Sequence, residues 1–149
     1  MRAAPTTPQS SIGTTASHST DRNPVQPAPK RVVLHICTRD TIRPLRDQVL
    51  RGKGFEVDSA LTYSEGLSMF WGRAYDLVLI DVEGERGVES AEHVCAEIKS
   101  AQPEQLIAFV CNWRVANLTD CPDEIVRTEF DPAAFADGVS AIVPDSPTQ

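Results

Sequence analysis

The sequence predicts an α/β domain in which helices cover both faces of a parallel sheet. Three apolar runs of strand length, residues 31–37, 75–81 and 105–111, are rich in Val, Ile and Leu without polar alternation. Such continuous runs are typical of strands that are buried on both faces. Strand and helix patterns alternate five times along the chain. This alternation indicates right-handed crossovers between parallel strands and a three-layer domain.

Length and composition predict a single acidic domain. The chain has 149 residues, 41% of them hydrophobic, which is enough for one substantial core. Its formal net charge is −7, and because residues 1–30 carry +2, the remaining 119 residues carry −9. Nucleic acids and anionic membranes are bound mainly through Lys and Arg, so the charge argues against both as partners.

Cysteine usage and hydropathy predict a soluble cytoplasmic protein. The four cysteines form no CxxC pair and have no His at zinc-ligand spacing, which favours reduced thiols over a zinc site or a disulfide scaffold. The N-terminus lacks an apolar signal region, and no run approaches the roughly 18 apolar residues of a membrane span. We therefore expect a protein that is neither secreted nor embedded in a membrane.

Composition also divides the chain into three parts. Residues 1–30 contain five Pro and nine Ser or Thr, and too few aliphatic residues to offset the entropy cost of ordering them. We expect a disordered tail there, the folded domain over residues 31–143, and a flexible C-terminus over residues 144–149.

The first predicted strand, residues 31–37, leads into a helix that ends near Gly52 and Gly54. Asp40 is a plausible N-cap for this helix, and Pro44 suits its first turn, where N–H groups lack intrahelical partners. The apolar face predicted for the helix consists of Ile42, Leu45, Val49 and Leu50.

A second strand at residues 55–60 precedes a helix that begins with a capping box. Thr62 and Glu65 have the spacing of that motif, and Leu67, Phe70 and Trp71 are expected to face the core. The third strand, residues 75–81, ends in Asp81. In parallel sheets ligands gather beyond the carboxyl ends of the strands, which makes Asp81 the first candidate for a functional residue.

The remaining elements repeat the same pattern. A loop over residues 82–89 is followed by a helix over residues 90–100, with Val94, Cys95 and Ile98 facing inward. Strands are predicted at residues 105–111 and 124–127. Asp131 and Pro132 then supply the N-cap and the first position of a last helix that extends through residue 141.

Three stretches together resemble the receiver domain of bacterial two-component response regulators: residues 54–67 (GFEVDSALTYSEGL), 75–81 (YDLVLID) and 123–143 (DEIVRTEFDPAAFADGVSAIV). The resemblance implies a flavodoxin-like, doubly wound sheet with strand order 2-1-3-4-5. It also implies a single-domain signalling protein in a phosphorelay, with a protein partner such as a histidine kinase. No DNA-binding or enzymatic output domain is predicted on the chain.

The resemblance places Asp81 at the phosphoacceptor position, with the backbone carbonyl of Glu83 as a further magnesium ligand. The family's acid pair falls on Cys37 and Thr38, its hydroxyl residue on Cys111 and its lysine on Thr128, so the chain resembles a degenerate receiver. Mg²⁺ is usually anchored by carboxylates, and phosphoryl transfer needs cations beside the equatorial oxygens. We therefore expect weak Mg²⁺ binding if any, no other cofactor, and inefficient phosphorylation.

The segment between the fourth and fifth strands departs from the family pattern. Residues 112–123 are too few for a loop, a full helix and a second loop, so the fourth helix is predicted to be one turn long or absent. Trp113 then either covers the exposed sheet or remains accessible as a binding residue.

Three alternatives remain open on sequence alone. The domain could be an interaction module that is independent of phosphorylation. Cys37 and Arg43 also have the Cys-x5-Arg spacing of cysteine phosphatases, and residues 33–44 together with Asp131-Pro132 resemble the low-molecular-weight tyrosine phosphatases. That resemblance implies Cys37 as nucleophile, Arg43 as phosphate ligand and Asp131 as general acid. The third possibility is that Asp40, Glu83 and Glu85 replace the missing metal ligands, although capping by Asp40 and solvation of the two glutamates are the simpler expectations.

The histidines and two strand-end cysteines have structural interpretations. His35 is expected in the core and His93 on a helix surface. Cys37 and Cys111 end strands that flank the Asp81 strand, and two strand spacings of about 4.8 Å separate them too far for an unstrained disulfide.

Overall fold

The computed structural model describes residues 29–116, 119–127 and 131–143 of the chain. Five strands and five helices alternate within these ranges. In chain order they are β1 (Val32–Ile36), α1 (Arg43–Gly52), β2 (Glu56–Ala60), α2 (Tyr63–Phe70), β3 (Leu77–Asp81), α3 (Arg86–Ala101), β4 (Ile107–Cys111), α4 (Trp113–Ala116), β5 (Glu124–Arg127) and α5 (Pro132–Ile142).

All five strands are parallel and lie in the order β2-β1-β3-β4-β5. This confirms the predicted sheet and its strand order. Strand β3 is central, and every residue of β3 and β4 is buried, as their uninterrupted apolar sequences predict. The carboxyl ends of β1, β3 and β4 therefore meet at one edge of the sheet.

Helices cover the sheet in two layers. Because successive strand residues point to opposite faces, Val33 belongs to one core cluster and Leu34 to the other. The first cluster contains Leu50 of α1 and Phe135 of α5, and the second contains residues of α2 and α3 such as Phe70. Helices α1 and α5 thus pack on one face, and α2 and α3 on the other.

Two of the three predicted N-caps are confirmed. The Thr62 side chain accepts the Glu65 N–H at 3.0 Å, and the Asp131 carboxylate accepts the Ala134 N–H at 2.9 Å. The prediction for Asp40 is wrong. The carbonyl of Arg39 already accepts the N–H groups of Ile42 and Arg43, so a main-chain turn begins α1 and Asp40 is exposed.

Three further details differ from the sequence prediction. Leu45 and Trp71 are 61% and 52% exposed rather than buried, because α1 turns Asp47 and Leu50 toward the sheet and α2 ends at Phe70. Helix α3 begins at Arg86, four residues early, and this first turn buries Val88.

The fourth helix is a single four-residue turn, which confirms the predicted shortening. The tail over residues 1–28, the C-terminus over 144–149, the Trp113 side chain and Thr128 lie outside the described residues, so the expectations for them stay predictions. None of the helices in the described ranges combines the length and apolarity needed to cross a membrane.

Gly66 of α2 packs directly against the Ile36 side chain of β1, which predicts a steric effect of Gly66→Ala. A Cβ at this position would lie 2.7 Å from Ile36 Cγ1 and would also overlap Ile36 Cδ1, and Ile36 is fully buried. We expect a loss of about 1–2 kcal/mol in the free energy of unfolding, after the higher helix propensity of Ala is taken into account.

Urea unfolding of Gly66→Ala measures this loss, with Gly52→Ala as the matched control. Gly52 also lies in a helix but has no atom within 4 Å of its added Cβ, so this variant should be neutral or slightly stabilised. Equal stability changes in the two variants would show that the Ile36 contact has no effect.

Candidate functional site

Asp81 lies at the carboxyl end of the central strand, as the sequence predicts, and it is 1% exposed. The main chain continues from Asp81 into the loop that precedes α3. The Tyr63 hydroxyl, in α2, donates a hydrogen bond to the Asp81 carbonyl at 3.0 Å. Burial and the charge of Asp81 raise the pKa of Tyr63 to about 12, so its hydroxyl stays protonated and remains a donor at neutral pH. The backbone of Asp81 is therefore fixed by a neighbouring helix.

Both carboxylate oxygens of Asp81 accept hydrogen bonds from arginines. Arg39 binds in a bidentate manner, with Nε 2.9 Å from Oδ2 and Nη2 2.8 Å from Oδ1. Arg46 donates from Nη1 to Oδ1 at 2.5 Å. We call these three residues the Asp81 clamp. Bidentate guanidinium–carboxylate pairs are among the strongest hydrogen bonds in proteins, and here two guanidinium charges face one carboxylate.

The electrostatics of the clamp keep Asp81 ionised. Burial by itself raises the pKa of Asp81, but the hydrogen bonds and positive charges of Arg39 and Arg46 outweigh it, and the net pKa lies below its ordinary value. The same hydrogen bond raises the pKa of Arg39. The clamp is thus a set of permanent charges at neutral pH.

Local structure brings the two arginines to Asp81 from different elements. Arg39 lies in the turn between β1 and α1, which is tied down by the hydrogen bond from Arg43 Nη1 to the Cys37 carbonyl at 3.0 Å. Arg46 lies one turn into α1, and its guanidinium carbon is 5.5 Å from the centroid of the Phe135 ring of α5. This cation–π contact with Phe135 helps to hold the Arg46 guanidinium in place.

The residues at the acid-pair positions contribute no charge. Cys37 is fully buried, and burial together with the nearby Asp81 charge raises the pKa of its thiol, which therefore stays neutral. Thr38 is exposed. Cys111 ends β4 and is buried, as predicted. The two acid-pair positions, Cys37 and Thr38, therefore supply no carboxylate beside Asp81.

These residues do not fit a magnesium ion. Asp81, the carboxylate at the centre of the edge, has both oxygens occupied by guanidinium groups, and a divalent cation would have to approach two positive charges. Glu83, whose carbonyl is the other predicted ligand, has an exposed side chain, and Asp40 pairs with Arg43. Across the described ranges, no three His, Cys, Asp or Glu side chains are grouped as metal ligands.

The cysteine phosphatase alternative receives no support from the geometry. A thiolate nucleophile needs a lowered pKa, whereas the pKa of Cys37 is raised. The Arg39 carbonyl lies 3.9 Å from the Cys37 sulfur, and Arg43 is bound to the Cys37 carbonyl. Asp131 is used as the N-cap of α5.

Sequence reasoning missed the arginines and a second buried carboxylate. Asp47 of α1 is 5% exposed, accepts a hydrogen bond from His35 Nδ1 at 2.7 Å, and accepts another from the Ser59 hydroxyl. A general signal was available for Arg39, because a buried carboxylate requires compensation and Arg39 follows the neighbouring strand. No pattern distinguished Arg46 from Arg43 or Arg51 on the same helix.

Comparison with solved structures identifies the fold. The response regulator TrrA from Thermotoga maritima in complex with Mg(2+)-BeF is 25% identical, with a TM-score of 0.63 over 76% of this chain and 99% of that chain. TrrA bound to the histidine kinase ThkA gives 26% identity and a TM-score of 0.61 over the same shares. The chemotaxis response regulator CheY4 of Vibrio cholerae, at 16% identity, has a TM-score of 0.66 with the same coverage.

No protein-family model and no curated protein matches the sequence. The structural likeness nevertheless covers 76% of the chain in each of these comparisons, and the five parallel strands lie in the order 2-1-3-4-5 of that fold. The chain has the fold of a response-regulator receiver domain, the class to which its sequence shows a resemblance.

Proposed function

We propose that this protein is a receiver-type signalling module that acts through protein contacts and holds Asp81 in a permanent ion pair. The observation that carries the proposal is the clamp, in which both Asp81 oxygens are bound by guanidinium groups. An aspartate that accepts a phosphoryl group needs a free oxygen as nucleophile and cations beside the transferred group. Here the cations are bound to the nucleophile itself.

The clamp also explains how the fold tolerates neutral residues at the acid-pair positions. In a receiver with three clustered carboxylates, a divalent cation offsets their mutual repulsion. In this chain Arg39 and Arg46 supply the compensating charge from the protein itself, and Cys37 and Thr38 add no negative charge. The sheet edge is therefore electrostatically satisfied without a metal ion.

The partner is proposed to be a signalling protein. The relative TrrA has been captured with a histidine kinase, which makes a kinase the first candidate. The exposed Leu45 lies on α1 beside a groove that Ile42, Val49, Pro132 and Phe135 also line. This apolar surface supports a role in protein contacts, since exposed apolar patches commonly mark them.

Acetyl phosphate with Mg²⁺ tests the proposal directly. The wild-type protein should show no phosphoryl adduct by intact mass spectrometry, under conditions that phosphorylate a receiver with the complete acid pair. A base-labile adduct in the wild type that disappears in Asp81→Asn would return Asp81 to the role of phosphoacceptor and overturn the proposal.

A designed variant tests whether the clamp is the obstacle. Replacing Arg39 and Arg46 with Ala, and Cys37 and Thr38 with Asp, frees the Asp81 oxygens and restores the metal-binding carboxylates. This variant should gain a magnesium-dependent adduct on Asp81. If a folded form of it remains unmodified, the cause lies outside the clamp.

A further inference from the structure

Cys95 and Cys121, which have no role in the proposed function, are in contact on the face of the sheet that α2 and α3 cover. The sulfur atoms of Cys95, in α3, and Cys121, in the segment before β5, are 2.6 Å apart. A disulfide has a sulfur–sulfur distance of about 2.05 Å, so bond formation needs only a small displacement of the two side chains. They are separated by 26 positions in sequence, with no spacing motif that would predict the pair.

Flanking contacts hold the two sulfurs in register. Thr119, Cys121 and Asp123 alternate along the segment and meet Glu92, Cys95 and Lys99 of α3. The Thr119 hydroxyl donates to Glu92 Oε2 at 2.8 Å, and Lys99 Nζ donates to Asp123 Oδ2 at 2.7 Å. The cysteine contact lies between these two, so it is fixed from both sides.

Asp123 is also anchored to the sheet. Its Oδ2 accepts the N–H of Ile107 at 2.8 Å, and its own N–H donates to the Ile107 carbonyl at 2.9 Å. The segment that carries Cys121 is therefore bound to β4 as well as to α3. These contacts make the approach of the two sulfurs a property of the fold rather than of a single rotamer.

The two thiols differ in accessibility. Cys95 is buried, and burial together with the neighbouring Cys121 raises its pKa. Cys121 is only half-buried, whereas Cys37 and Cys111 are buried at strand ends. A small oxidant can therefore reach Cys121 more readily than the other three cysteines, with Cys95 positioned to react next.

We propose that Cys95 and Cys121 are an oxidation-responsive pair, which hydroperoxides oxidise to a reversible disulfide. This disulfide joins α3 covalently to the segment before β5. The Cys121 thiolate attacks a peroxide oxygen and breaks the O–O bond, which gives a sulfenic acid and, after protonation, water. The Cys95 sulfur then displaces hydroxide from the Cys121 sulfur, and the Cys95 thiol proton leaves with that hydroxide as water. Two thiols are oxidised and hydrogen peroxide is reduced to two waters.

Peptide mapping after hydrogen peroxide treatment tests the pair in the wild-type protein. Trypsin places the four cysteines in separate peptides: residues 32–39, 87–99, 100–114 and 115–127. We expect a linkage between peptides 87–99 and 115–127, a fall in titratable thiols from four to two per chain, and full recovery of four with dithiothreitol. Cys37 and Cys111 should remain open to alkylation after unfolding.

The variant Cys121→Ser should lose the linkage. The double variant Cys121→Ser/Ser100→Cys again has four cysteines but should form no linkage, because residue 100 is not one of the α3 positions that face the segment before β5. Overoxidised Cys121 without a linkage, a linkage through Cys37 or Cys111, or a bond between two chains would each overturn the proposal. None of these measurements involves Asp81, so the outcome is independent of the proposed function.

Discussion

Replacing both arginines of the Asp81 clamp with methionine is expected to lower the free energy of unfolding by about 3–5 kcal/mol. The double variant Arg39→Met/Arg46→Met leaves the Asp81 carboxylate buried with neither of its charged partners. Methionine retains much of the apolar stem of each side chain, so lost packing contributes little. Urea unfolding at neutral pH measures the change.

Arg73→Met is the matched control for this prediction. Arg73 also pairs with two carboxylates, those of Glu56 and Asp58, but it is well exposed and its ion pairs are solvated. Removing it should change stability little. If the clamp variant is as stable as this control, the Asp81 ion pairs contribute nothing beyond an ordinary surface pair.

The pH dependence of stability gives a second measurement on the same variants. In the wild type the folded pKa of Asp81 lies below its ordinary value of 3.8, so its contribution is present above that value and is lost as pH falls through the folded pKa. In the double methionine variant burial dominates and the pKa of Asp81 rises. That variant should therefore gain stability as pH falls toward 4, relative to the wild type, and Asp81→Asn should abolish the difference.

The second large effect is expected at Asp47. The Asp47→Leu variant should lose about 2–3 kcal/mol, because it removes the partner of the fully buried His35 ring. Among the described residues, His35 Nε2 is the buried side-chain atom without a hydrogen-bond partner, so the variant leaves both ring nitrogens unsatisfied. Urea unfolding at pH 8 measures the loss.

Removing the histidine as well should restore stability. The double variant His35→Phe/Asp47→Leu replaces both polar partners with apolar groups of similar size, which is often nearly neutral. We therefore expect it to be more stable than Asp47→Leu alone, with a coupling energy outside experimental error. The single variants Asp47→Leu and His35→Phe complete the comparison. If the double variant loses as much stability as the two single variants together, the proposed pairing of His35 and Asp47 is contradicted.

Much of the fold was predictable because it depends on local patterns. Uninterrupted apolar runs mark strands buried on both faces, and β3 and β4 confirm this residue by residue. The caps at Thr62 and Asp131 depend on contacts within a few residues, and both are confirmed. The strand order follows from the family resemblance that the sequence carries.

The errors fall where a local pattern competes with tertiary contacts. Asp40 has the composition of an N-cap, but a main-chain turn from Arg39 makes the cap unnecessary. Trp71 continues an apolar helical pattern, but α2 ends before it and its ring stacks edge-on against Phe70 at 4.9 Å. Hydrophobicity predicted burial in this case, whereas the end of the helix determined exposure.

The sequence by itself determined that a parallel three-layer sheet would form and that a lone carboxylate would end its central strand. Only the tertiary structure decided what surrounds that carboxylate, because Arg39 and Arg46 reach Asp81 through the path of a turn and the rotation of a helix. The same holds for Cys95 and Cys121, which meet because a short segment lies against one face of α3. In the Asp81 clamp and in the Cys95–Cys121 pair, the direction of the side chains in space determines which groups meet, and their spacing along the chain does not reveal it.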